Sequence, residues 1–123
     1  MRAEEHWAKA RRLEATRTAK LNDKDDYEIT IWSCIQGGAQ LANVVLHKAG
    51  VTEETFDLIH SDMPELNREV PPAVAEMLAI LKSIEDFGPR FVRGIEPIDP
   101  HAVRNCLAAY GKVRAYAEKL INV

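Results

Sequence analysis

No stretch of this sequence approaches the about 18 consecutive apolar residues of a membrane span, so no membrane partner is expected. The opening Met1-Arg2-Ala3-Glu4-Glu5-His6 is charged and lacks the apolar core of a secretory leader, which points to the cytoplasm. Cysteine is scarce. Cys34 and Cys106 stand apart without CxxC spacing, which argues against a zinc ribbon or a thioredoxin-like motif; two reduced, packed thiols fit a cytoplasmic chain. Basic excess is missing too. Sixteen Lys and Arg face nineteen Asp and Glu, and the net charge of −3 speaks against a protein that grips extended nucleic acid. No phosphate loop of the Walker or Rossmann kind is present, because Gly37-Gly38 follows no strand. No cofactor is expected.

Strand signals are equally thin. No segment alternates apolar and polar residues as a half-buried strand does, whereas four carry helical periodicity. With 123 residues, 46% apolar and 28% charged, the chain matches one globular domain over residues 1–123, built round one core. The expected fold is all-α, an up-down four-helix bundle with a short extra helical turn between the second and third helices.

The first helix, about residues 2–21, has a narrow stripe of Ala3, Trp7, Ala10 and Leu13 and should be the most peripheral. Its basic residues (Lys9, Arg11, Arg12, Arg17, Lys20) mix with Glu4, Glu5 and Glu14, the pattern of a solvated face. The second, about 26–49, is apolar round most of its girth through Ile31, Trp32, Ile35, Leu41, Ala42, Val45 and Leu46, and should be central. Gly50 stands where a left-handed C-cap wants glycine. The extra turn begins at Thr52 and is anchored by Phe56, Leu58 and Ile59; residues 61–70 read as a loop. Pro71-Pro72 opens the third helix, whose Val74, Met77, Leu78, Leu81 and Ile84 share a face. After an irregular stretch at 90–98, Asp99 and Pro100 open the fourth, with Val103, Leu107, Tyr110, Val113, Ala117 and Leu120 as its stripe. Up-down alternation sets residues 22–26 and 90–98 at one end. It sets His6, His47, His60 and the 61–70 loop at the other.

The residues that could carry chemistry cluster on the second helix. Gln36, Gln40, Asn43 and His47 are spaced by four, three and four, so they share one face within roughly 60° of arc. An unpaired buried amide costs about 1–3 kcal/mol, so the stripe either lines a ligand groove or pairs with a neighbouring helix or subunit. Gly37-Gly38 interrupts the same helix at about 1 kcal/mol per glycine, which calls for a close approach within the bundle or across a dimer. Arg90 and Arg93 could hold a phosphate or carboxylate, with Asp23, Asp25 and Asp26 as competing partners. His47, His60, Asp62 and Glu65, with His6 beside them, offer imidazole and carboxylate ligands, but no HxxxH or ExxH pair sets two on one helical face, so no metal site is expected.

Two stretches resemble the HEPN superfamily of small four-helix domains. Ile35-Gln36-Gly37-Gly38-Ala39-Gln40-Leu41-Ala42-Asn43-Val44-Val45-Leu46-His47-Lys48-Ala49-Gly50 looks like that family's second helix. Arg90-Phe91-Val92-Arg93-Gly94, before Ile98-Asp99 and a last helix, looks like the segment where catalytic members carry an arginine and then a histidine. Here Arg93 stands in the histidine's place and Gly88 near the arginine's. Neither Arg2 to His6 nor Arg93 to His101 restores the spacing. The resemblance therefore implies a member without the RNase motif, similar to the substrate- or partner-binding halves of nucleotidyltransferase and toxin–antitoxin pairs, many of them homodimers. The expected function is a non-enzymatic binding module, a homodimer taking a nucleotide-like ligand or a protein partner through Gln36, Gln40, Asn43, His47, Arg90 and Arg93. The alternatives are a small metal-dependent or acid–base enzyme using His47, His60, Asp62 and Glu65, and a structural subunit of a larger assembly.

Overall fold

The computed structural model describes residues 1–20, 26–61, 69–95 and 97–122. It contains α1 (Ala3–Lys20), α2 (Tyr27–Lys48), α3 (Pro72–Glu85) and α4 (Pro100–Ile121), with a π-helical turn at Gly88–Val92. Among the described residues there is no strand, and the fold is an all-α four-helix bundle.

Local chemistry sets the helix ends. The Asp99 carboxylate accepts a hydrogen bond from the Ala102 N–H at 2.8 Å, and Pro100 fills the first position of α4, where no N–H is needed. At the end of α2, Gly50 takes φ +73°, the Val51 N–H donates to the Leu46 carbonyl at 2.9 Å and the Gly50 N–H to that of His47 at 3.2 Å. Those paired bonds close the last carbonyls of the helix and turn the chain back.

The core is centred on α2, which packs against every other helix and the π-helical turn. Ile31, Leu41 and Leu46 of α2 meet Met77, Leu81 and Ile84 of α3 and Val113 of α4, all fully buried. Each such side chain stabilises the fold by about 1.5–3 kcal/mol relative to exposure. The diagonal pair α2 and α4 also pack closely, and the two glycines explain how. A Cβ on Gly37 would lie 3.0 Å from Tyr110 Cε2, and one on Gly38 would lie 3.1 Å from Leu81 Cδ1. The close approach is therefore made within the chain, by a ring from α4 and a methyl from α3. It also brings Cys34 against Cys106. The two buried thiols share a hydrogen bond: accepting it holds Cys34 below the usual thiol range, while donating it, together with burial, pushes Cys106 up.

The two glycines should respond differently to alanine. The Leu81 methyl can rotate away, so Gly38→Ala is expected to be neutral or stabilising by up to about 1 kcal/mol through helix propensity. The Tyr110 ring cannot yield, being tied through its hydroxyl to Glu14 at 3.1 Å. Gly37→Ala is expected to destabilise by about 1 kcal/mol, overpacking outweighing propensity. Urea denaturation of the two variants beside the parent checks the sign of each.

Three expectations need correction. Trp32 does not complete the core; it is 47% exposed, and Ile29 is also on the surface. Among the described residues, the stretch expected to open the extra turn at Thr52 holds one turn bond, Phe56 N–H to the Glu53 carbonyl at 2.9 Å, because Thr52 is drawn to His47 instead of capping a helix. By length and composition α2 could cross a membrane, but two-thirds of that stretch is buried in the fold, as a core helix requires. Finally, the chain does not stay at the His47 end. Residues 51–61 form a strap that runs back along α2, bonding to His47, then Asn43, and reaching Glu85 at the end of α3. It carries His60 toward Arg93.

Candidate functional site: a polar seam and an exposed ridge on α2

The strap divides the α2 stripe in two. Its upper half, Asn43 and His47, is covered. Asn43 is buried, and its Nδ2 donates to the carbonyls of Ala39 and Leu58, both at 3.0 Å, while its Oδ1 accepts the Leu58 N–H at 2.7 Å. Every hydrogen-bonding group it uses is spent on backbone, so Asn43 fastens the strap and cannot meet a ligand.

His47 is likewise turned inward, with a side chain 3% exposed. Its Nδ1 lies 2.9 Å from Thr52 Oγ1 and its Nε2 3.3 Å from Asp57 Oδ1. The start of the antiparallel α1 brings in His6, itself 2% exposed. His6 Nδ1 is 2.7 Å from Gln40 Oε1 and its Nε2 2.9 Å from the same Asp57 oxygen. The two rings stand 5.3 Å apart. The Met1 ammonium lies 3.2 Å from Asp57 Oδ1. Burial alone would raise the Asp57 carboxyl, but hydrogen bonds from His6, the Met1 ammonium and His47 outweigh it and hold the group below the usual carboxylate range. Of the expected quartet of His47, His60, Asp62 and Glu65, His60 is carried away from His47 by the strap, and Asp62 and Glu65 lie outside the described residues.

The lower half of the stripe is open. Trp32 and Gln36, one turn apart, form a ridge between two hollows. On one side a hollow of about 420 Å³ is walled by Ile59 and His60 of the strap, Lys82, Glu85 and Asp86 of α3, and Arg93 after the π-helical turn. On the other a hollow of about 430 Å³ is walled by Lys9, Arg12, Leu13 and Thr16 of α1 and by Gln40. Both volumes suit a small ligand. Arg90 lines neither hollow; its guanidinium lies 4.7 Å over the Phe91 ring.

Electrostatically the two sides differ. Lys82 lies 3.9 Å from Asp86, and Glu85 accepts the Ser61 N–H at 2.9 Å, so the acids of the first hollow are engaged and Arg93 is the cation left facing it. The second hollow has no acidic wall. The sequence shows α1 as evenly mixed, but its acids are spent elsewhere: Glu4 on Lys48 at 3.0 Å, Glu5 on Arg2 at 3.6 Å, and Glu14 on Arg114 at 2.7 Å. Exposed Lys9 and Arg12 have no ion-pair partner among the described residues.

No protein-family model matches this chain, and neither a curated protein nor a solved structure matches it. The site thus stands on its own geometry. Sequence reasoning missed Asp57, Trp32, Lys9 and Arg12 as site residues. Antiparallel packing of α1 on α2 was a signal for His6 meeting His47. Asp57 carried none, because nothing in periodicity shows which way a non-helical strap runs.

Proposed function

We propose that this protein is a HEPN-like binding module that takes a nucleotide-like ligand, a planar ring with a phosphate, on the Trp32–Gln36 ridge. The carrying observation is the exposed indole beside an unspent amide, flanked by cations that have no partner among the described residues. An indole face stacks any base, typically for about 1–3 kcal/mol per base. The Gln36 amide has donors and an acceptor for a base edge, and an exposed arginine or lysine holds phosphate by charge-assisted bonds. The acid-free hollow makes Lys9 and Arg12 the expected phosphate side, with Arg93 as the rival across the ridge.

A thermal-shift titration with nucleoside monophosphates, nucleosides and inorganic phosphate tests this. A nucleotide at about a hundred times its dissociation constant should add about 2.7 kcal/mol of stability. Trp32→Ala should weaken it by roughly 5- to 100-fold, in line with loss of one stacked base. Charge reversal at Lys9 and Arg12 should abolish the nucleotide effect while the Arg93 variant keeps it; the opposite pattern moves the phosphate to the first hollow. No response to any nucleotide, or one unchanged by Trp32→Ala, would sink the reading. Self-association lost in Trp32→Ala would then make the ridge an interface between two copies.

A further inference from the structure

Beside the ridge, His6 and His47 each bring a ring nitrogen to one oxygen of Asp57, which the Met1 ammonium also approaches at 3.2 Å. The Gln40 amide oxygen can only accept, so the 2.7 Å contact requires a hydrogen on His6 Nδ1. In the neutral ring that leaves the His6 Nε2 lone pair facing Asp57 Oδ1 at 2.9 Å. His47 Nδ1 faces the Thr52 hydroxyl, which can donate or accept, and its Nε2 faces the same carboxylate oxygen at 3.3 Å. Between each Nε2 and Asp57 Oδ1 there is room for a proton, as in a hydrogen-bonded cluster, or for one cation held by all three atoms.

The geometry fits a cation. The three donor atoms lie within 4.8 Å of one another. Tetrahedral zinc, with bonds of 2.0–2.2 Å to imidazole and carboxylate, sets its ligand atoms about 3.3 Å apart. Gln40 and Thr52 would act as the outer partners that fix ring orientation in metal sites built from histidine. Both rings are almost wholly buried and rigidly placed on α1 and α2, while Asp57 is 42% exposed and leaves a side open to solvent. We propose that His6, His47 and Asp57 bind one divalent transition-metal ion of the zinc class through two Nε2 atoms and a carboxylate oxygen. Imidazole with carboxylate suits that class over calcium or magnesium.

The test is isothermal titration of zinc into the untagged full chain, with cobalt(II) absorption as a second readout. One ion per chain, bound at micromolar or tighter, is expected, with the intense visible bands of a low-coordinate cobalt site. Asp57→Asn keeps the shape at an exposed position and should weaken zinc at least 100-fold while its melting temperature without metal stays near the parent's. Thr52→Val should weaken it about 10-fold, the usual lower bound for an outer partner. His60→Gln and His101→Gln, which change the other two histidines, should leave it unaltered. Absence of zinc uptake by the parent, or equal affinity in Asp57→Asn, would overturn the proposal and leave the cluster a hydrogen-bonded clasp. Zinc lost only in the His60 or His101 variants would do the same.

Discussion

Asn43→Leu is expected to cost about 4 kcal/mol and to lower the melting temperature by about 15 °C. The substitution keeps the branched outline, but methyls need more room than an amide held at 2.7–3.0 Å, so overpacking adds to the loss. What it removes is the pair of bonds that hold the Leu58 backbone among the described residues, its N–H donating to Asn43 Oδ1 at 2.7 Å and its carbonyl accepting from Nδ2 at 3.0 Å. Leu58 is buried, so both groups would be left without partners, at about 1–3 kcal/mol each. Asn43→Asp should also destabilise. It keeps an acceptor for the N–H but sets a carboxylate against the carbonyls of Ala39 and Leu58. Guanidinium denaturation gives the magnitude, and hydrogen exchange at the Leu58 amide shows whether the loss is local. A loss below about 1 kcal/mol would mean that water replaces the amide.

That expectation reverses the role the stripe suggests on paper. Gln36, Gln40, Asn43 and His47 do share one face of α2, because 3.6-residue periodicity dictates it. What covers that face is set by a strap of turns and bends, whose course follows from side-chain bonds and not from any repeat. The helices were legible for the opposite reason: their apolar periodicity is regular, and some boundaries have a local chemical cause, as in the Asp99 cap and the Gly50 turn. Charge was legible only as a total. On α1 the packing spends every glutamate and leaves Lys9 and Arg12 beside Trp32, a division that composition cannot show. Periodicity places Trp32 in the core, because an apolar helix gives no mark of which position its neighbours fail to reach. The Arg90–Phe91 segment looks irregular in sequence because a π-helical turn has no simple sequence period.

Glu14→Ala is expected to cost about 3 kcal/mol, since it unties α1 from α4 above Gly37. Glu14 accepts the Arg114 Nε–H at 2.7 Å and the Tyr110 hydroxyl at 3.1 Å, and is mostly buried. Breaking a fully buried pair from one side costs about 3–5 kcal/mol. Arg114 keeps Glu118 at 3.0 Å and some solvent, which sets the lower figure. The same network carries a pH signature. Burial pushes the Tyr110 phenol well above its ordinary range, and the Glu14 charge adds to it, while Arg17, 4.6 Å over the ring, opposes. A folded-state pKa raised above the unfolded value of about 10 gives stability that is whole below pH 10 and lost as pH rises beyond it. The slope is about 1.4 kcal/mol per pH unit for the single proton. Tyr110→Phe lacks that proton, so the stability gap between parent and variant should be constant from pH 7 to 9 and close above 10. Urea unfolding of both across that range checks it; a gap that stays fixed to pH 11 would show that Tyr110 ionises as freely folded as unfolded. Because this tie positions α1, and α1 supplies His6 to the cluster and Lys9 and Arg12 to the ridge, Glu14→Ala should weaken zinc and nucleotide together, whereas Asp57→Asn and Trp32→Ala should separate them.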